Sequence, residues 1–227
     1  MESSISAGII EKEGQGMRPW SKVPAWWSDE IALLRGGAHA GRSQAMLRVV
    51  FALATMTPTA KTYTVVSSVS ELMERTGLSR PMVRQALVDV ESRGWIRHKP
   101  GGGKLKSEYT LVCPHFEAEK DGYYYKIPND EVVKKLPKIS RRGEKALAAL
   151  KIYAVLLIVR PNQARVSSIN VDNLRNRAAV QWTSLRDGLS ILATHGMIVV
   201  DKAPGDDGDY VKNQYVIKGD IVREIPA

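Results

Sequence analysis

The chain has 227 residues, 44% of them apolar and 25% charged, which is the balance of an ordinary globular protein and not of a disordered chain. Its formal net charge of +9 is shared by both halves and not gathered in a tail, so an acidic polymer is the expected partner. The single cysteine, Cys113, excludes an internal disulfide framework and reads as a small buried apolar residue.

In chain order, Met1 to Gly16 is polar and should fray. No leader is expected, because Met1 to Ile10 has neither a basic start nor a long apolar run. Trp20, Trp26 and Trp27 then crowd one short arm. Two readings fit so much aromatic area: an arm packed across the first domain, or a contact with a second copy or with a replication or transcription protein. Gly36, Gly37 and Gly41 break the chain before a helix from Ser43 to Thr57, with Ala45, Met46, Val49, Val50, Leu53 and Ala54 on one face and Pro58 at its end. Thr62 to Val66 is rich in strand formers.

From Val69 to Val112 two helical periodicities flank a turn. Val69, Leu72 and Met73 mark the first; Val83, Ala86, Leu87 and Val90 mark the second. Gly77 suits the positive φ of a sharp turn, Ser79 is a good N-cap, and Pro81 falls in the first turn, where its missing N–H costs nothing. Gly94 ends the second helix. Trp95 to Arg97 and Glu108 to Val112 read as strands around a tip at Pro100 to Gly103. A helix-turn-helix followed by a β-hairpin is a winged helix, whose second helix can enter the major groove of double-stranded DNA while the wing meets the backbone. Ser79, Arg80, Arg84 and Gln85 stand at the start of that helix, with arginine suited to guanine edges and glutamine to adenine edges. Between Glu91 and Glu108 there is no acid, and Arg93, Arg97, Lys99, Lys104 and Lys106 make the wing basic, as phosphates require.

The run Leu78-Ser79-Arg80-Pro81-Met82-Val83-Arg84-Gln85-Ala86-Leu87, followed by Gly94-Trp95-Ile96, resembles the DNA-binding domain of GntR-type regulators. The glycine-rich tip with Lys106-Ser107-Glu108-Tyr109-Thr110-Leu111 is closer to winged helices of plasmid and phage replication proteins. The resemblance covers about one fifth of the chain and implies a winged-helix fold that binds DNA.

Beyond Pro114, Tyr123 to Pro128 reads as extended and Asn129 as the cap of a short helix to Leu136. Lys134, Lys135, Lys138, Arg141, Arg142 and Lys145 form a basic run, which either tracks a phosphate backbone or is a solvated linker. The second half then repeats the first at an offset of 102: Gly94 with Gly196, Trp95-Ile96 with Met197-Ile198, Val83-Arg84 with Leu185-Arg186, Leu72 with Leu174, and Phe51 with Tyr153. The second wing is acidic, with Asp201, Asp206, Asp207 and Asp209 against Lys202 and Lys212, and should stay clear of phosphate. Its helix still offers Gln181, Thr183, Ser184 and Arg186, with Trp182 beside them.

Catalysis is not expected, nor is a metal or cofactor. Pro100 to Lys104 lacks the serine or threonine of a phosphate loop and leads into a strand. His39, His98, His115 and His195 are scattered singly, and Tyr123 to Tyr125 has no paired histidines to support strand cleavage. Ala146 to Val159 is interrupted by Lys151 and too short to span a bilayer, so no membrane is expected and the cytoplasm is the expected compartment.

The expected fold is α+β and mainly helical, with two winged helix-turn-helix domains in tandem: an arm over 1–41, the first domain over 42–117, a basic linker over 118–142 and the second domain over 143–227. The expected function is sequence-specific binding of double-stranded DNA, as an origin-binding replication initiator of plasmid or phage type. A transcriptional regulator of a mobile element and a tandem winged-helix scaffold protein are the alternatives.

Overall fold

The computed structural model describes residues 19–24, 27–57, 63–102, 105–112, 124–204 and 211–219. Trp26, Lys104, Cys113, His115, Tyr123, Asp206, Asp207 and Asp209 lie outside the described residues, as do the side chains of Trp27 and Lys212. The described chain is α+β, dominated by helix, with three small antiparallel sheets.

The first half runs β1 (Trp20–Pro24), α1 (Trp27–Ala32), a 3-10 turn (Gly37–His39), α2 (Ala40–Met56), β2 (Thr64–Ser67), α3 (Val69–Thr76), α4 (Arg80–Ser92), β3 (Ile96–Lys99) and β4 (Ser107–Leu111). The second half runs through the same kinds of element in the same order: β5 (Tyr124–Pro128), α5 (Asn129–Lys135), a 3-10 turn (Leu136–Lys138), α6 (Glu144–Val159), β6 (Val166–Ser168), α7 (Val171–Ala178), α8 (Trp182–Thr194), β7 (Ile198–Pro204) and β8 (Val211–Ile217). Each half closes a three-stranded sheet with its last strand in the middle, β2-β4-β3 and β6-β8-β7. Val65 faces Tyr109 across the first sheet and Ser167 faces Tyr215 across the second, and both tyrosines are buried.

Local chemistry sets the helix ends. Ser68 and Glu71 form a reciprocal capping box at the start of α3, and Asn170 accepts from the Asn173 amide at the start of α7. The turn into α4 passes through Gly77 at φ +70°; the turn into α8 passes through Ala179 at φ +46°. Ser79 occupies the N-cap position of α4, but its side chain makes no capping bond.

Helices α2 and α6 are buried almost all round, not on one face as the spacing of α2 suggested. The reason is tertiary: each packs against the last helix of its own half and also against the other long helix. Phe51 and Tyr153 meet edge to face there, with ring centroids 6.1 Å apart. A Cβ on Gly188 would sit 2.5 Å from Ile152 Cδ1 and 3.0 Å from the Ala149 amide nitrogen, so α8 lies on α6 at a distance only glycine permits.

The duplication extends further than the offset of 102 suggests. Trp20-Ser21-Lys22-Val23-Pro24 and Tyr124-Tyr125-Lys126-Ile127-Pro128 share an aromatic start, a central lysine, a β-branched residue and a proline, and they form one antiparallel ribbon. Trp20 pairs with Pro128, Pro24 with Tyr124, and Lys22 with Lys126 at the centre. The ribbon therefore has an approximate two-fold axis between the two lysines. Lys22 Nζ lies 4.0 Å from the Tyr124 ring centroid and Lys126 Nζ lies 4.4 Å from that of Trp20, a reciprocal pair of cation–π contacts. The short helices cross over in the same sense. Helix α1 packs on α6 and α7 of the second half, and α5 packs on α2 and α3 of the first. This is the packing of a two-fold dimer, contained in one chain.

Within the long helices the repeat runs at 103 and not 102, because the connection from α6 to β6 is one residue shorter than that from α2 to β2. Met56 and Val159 end their helices, and Phe51 thus aligns with Ala154, one residue beyond Tyr153.

Candidate nucleic-acid interface

The first turns of α4 and α8 are exposed at corresponding places in the two halves. On α4, Ser79, Arg80, Arg84 and Gln85 all face solvent. Arg80 Nη2 donates to Ser70 Oγ at 3.2 Å, and Gln85 Nε2 donates to Asp89 Oδ1 at 2.9 Å. Arg42 grips Asp89 with two bonds of 2.5 Å, from Nε and Nη2, and holds its carboxyl below the usual carboxylate range. Gln85 is thereby tied to the Arg42–Asp89 pair through one of its amide N–H groups. Arg84 has no partner among the described residues.

On the first hairpin Arg97 and Lys99 are exposed on β3. Lys106 is paired with Glu71 of the capping box. That ion pair is the main cause pulling the Glu71 pKa down to about 2; burial opposes it, and the Ser68 amide and Ser67 hydroxyl reinforce it. His98 stacks on Tyr109 with ring centroids 4.9 Å apart, stiffening the hairpin.

The basic join is not a bare linker. Ile127, Val132, Leu136 and Ile139 are buried, and they anchor β5, α5 and the following 3-10 turn to the core. Weighing only the lysines and arginines hides these apolar positions between them. Arg48, fully buried on α2, fixes the join to the end of α3. Its Nη1 donates to Thr76 O (2.8 Å) and Leu136 O (2.7 Å), and its Nη2 to Ile139 O (2.8 Å) and Ser140 O (2.9 Å). Burial, with the charge of Arg141 second, lowers its pKa to about 10, which leaves it charged at neutral pH. Arg141 Nη1 donates to Gly77 O at 2.9 Å, and a Cβ on Gly77 would lie 2.9 Å from Pro137 O. Lys138, Arg141 and Arg142 are exposed and are thus brought beside the α3–α4 turn.

On α8, Gln181, Thr183 and Arg186 are exposed and Ser184 is half-buried. Trp182 is exposed beside them, with the Arg175 guanidinium 4.9 Å from its ring centroid. Lys145 pairs with Asp187 at 2.9 Å, echoing the tie between Arg42 and Asp89. Lys151 plays the part of Arg48: its buried Nζ donates to Ala179 O, at the α7–α8 turn, and to Leu34 O, just past α1, both at 3.3 Å. Residue spacing did not reveal these buried cations. Their one signal was a charged residue inside an apolar helical run, as at Lys151.

Of the arm's tryptophans, Trp20 is half-buried against the core and under Lys126, and so takes part in the molecule's own clasp. Among the described residues no group of three or more histidine, cysteine or acidic side chains could hold a metal, and no helix is long and apolar enough to cross a membrane. Comparison with protein-family models, with curated proteins and with solved structures gives no match.

Proposed function

We propose that the chain is a sequence-specific double-stranded DNA-binding protein made of two winged helix-turn-helix units. The observation that carries this reading is the twofold occurrence of one element order, each time with an exposed helix start bearing base-reading side chains: Arg80, Arg84 and Gln85 on α4, and Gln181, Thr183 and Arg186 on α8. The exposed basic strand β3 and the docked join add phosphate contacts around the first of these helices. The resemblance of its hairpin to plasmid and phage replication proteins makes origin binding the output we favour, ahead of transcriptional regulation.

The test is selection of bound sequences from a random duplex library, followed by salt titration of wild type and of a variant with Lys99, Lys104 and Lys106 changed to alanine. The slope of log affinity against log salt should flatten by about 0.9 for each phosphate that the variant no longer neutralises. An unchanged slope would remove the hairpin from the interface, and failure to enrich any sequence would overturn the reading. The replication output requires that a plasmid carrying the selected sites be maintained only when the chain is supplied.

One observation favours a protein-contact role for the second unit: Val199 and Val200 are exposed on β7, the edge strand of its sheet. A DNA footprint no longer than one half-site would support it.

A further inference from the structure

Trp182 is the one tryptophan, tyrosine or phenylalanine that is exposed among the described side chains, at 43%. It is not among the side chains packed on the core. It stands at the first residue of α8, where the equivalent residue of α4 is Arg80. Arg175 reaches it from α7 and holds the indole through a cation–π contact, so the ring is kept in place and not left free in water. Around it stand Gln181, Thr183 and Arg186, all exposed. The two halves therefore present different chemistry at the same place, a guanidinium in the first and an apolar plate in the second.

A guanidinium at the leading turn of such a helix reads hydrogen-bond acceptors. An indole there carries a single N–H donor and no charge, and what it mainly presents is a broad apolar face. In the major groove the apolar feature at a base edge is the methyl group on pyrimidine C5. We propose that Trp182, braced by Arg175, is a reader of pyrimidine C5-methyl groups, flanked by Gln181 and Arg186 as hydrogen-bonding neighbours. The two units would then differ in what they discriminate: α4 reads purine acceptors through Arg80 and Arg84, and α8 reads a methyl group through Trp182. This rests on the duplex-DNA reading above and adds the chemical class read by the second helix. Thymine and 5-methylcytosine carry the same methyl group and are separated by the test.

The experiment uses the full chain and a duplex chosen by the library selection. Each thymine is replaced singly by deoxyuridine, which removes only the methyl, and each cytosine by 5-methylcytosine. Affinity is measured for wild type, Trp182→Phe, Trp182→Ala and Trp182→Gln, with circular dichroism and binding to a scrambled duplex as checks on folding. For wild type, one or two replacements on the side covered by α8 should weaken binding about fourfold each, the worth of one buried methyl group. Trp182→Phe should keep the sensitivity. Trp182→Ala and Trp182→Gln should bind thymine and deoxyuridine duplexes alike. A gain with 5-methylcytosine that disappears in Trp182→Ala would support the same site with methylated cytosine as its ligand. If wild type binds its selected duplex but is indifferent to every methyl group, or if Trp182→Ala stays sensitive, the proposal fails while the DNA reading stands. If wild type prefers no duplex at all, both fail.

Discussion

Arg84 differs from its neighbours on α4 in having no partner among the described residues, whereas Arg80 and Gln85 already hold Ser70 and Asp89. An uncommitted guanidinium exchanges only water when it meets a base, so Arg84 should contribute most to discrimination. Arg84→Ala should cost about 1–3 kcal/mol on the selected duplex and far less on a scrambled one; equal losses on both would show that it reads no base. Glu71 gives a pH prediction. Its folded pKa of about 2 lies below the ordinary carboxylate value, so its contribution is present above about pH 4.5 and is lost as pH falls toward 2. Glu71 is partly exposed and solvent screens its pair with Lys106, so the effect is modest. In urea melts between pH 5 and pH 2.5 the wild type should lose more stability than Glu71→Gln, and parallel curves would refute the pairing.

At the scale of elements, the two turns offer a matched comparison. Ala179 holds φ +46° where the first half has Gly77 at φ +70°. A Cβ is strained in that region, so Ala179→Gly should raise stability by about 1 kcal/mol, read from thermal melts, against the usual loss when glycine replaces alanine. A destabilised variant would show that the Lys151 bond to Ala179 O holds the turn without strain. Arg48 serves four carbonyls from two segments, the end of α3 and the join, and among the described residues no carboxylate is bonded to it. Arg48→Met keeps the apolar stem and leaves those acceptors unmet, at an expected cost of about 3 kcal/mol. Amide exchange should quicken along residues 136–141. A loss below about 1 kcal/mol would mean that water replaces the guanidinium at little cost.

At the scale of the molecule, the β1–β5 ribbon and the exchanged helices α1 and α5 tie the two halves into a single pseudo-dimer. If α4 and α8 both enter one duplex, as proposed, they would cover major-groove turns about 10 bp apart from centre to centre. One copy of the chain should therefore give a footprint longer than a single half-site. Gln181→Ala with Arg186→Ala should shorten it on one side only. A footprint of full length in that double variant would show that Gln181 and Arg186 take no part in it.

What could be read from the sequence was local. Gly77, Gly94 and Gly196 announce turns because only a residue without a side chain adopts a positive φ freely, and apolar spacing announces helices because one face must leave water. The Val69–Thr76 and Arg80–Ser92 helices, the hairpin after them and their repetition 102 residues on were legible for that reason. The exposure of Arg80, Arg84 and Gln85 on α4 and of Thr183 and Arg186 on α8 was legible too, because these polar residues fall between the core positions of their helices. The relation between the halves was not. The pairing of Lys22 with Lys126, the burial of Arg48 under the join and the seat of Lys151 between Leu34 O and Ala179 O each join positions far apart in the chain. Periodicity reports which face of a helix is apolar, but not what covers it. A buried cation bonded to carbonyls has no charged partner for a sequence pattern to reveal, so only the tertiary structure decided that the basic join is docked and that two repeats close on each other about an axis.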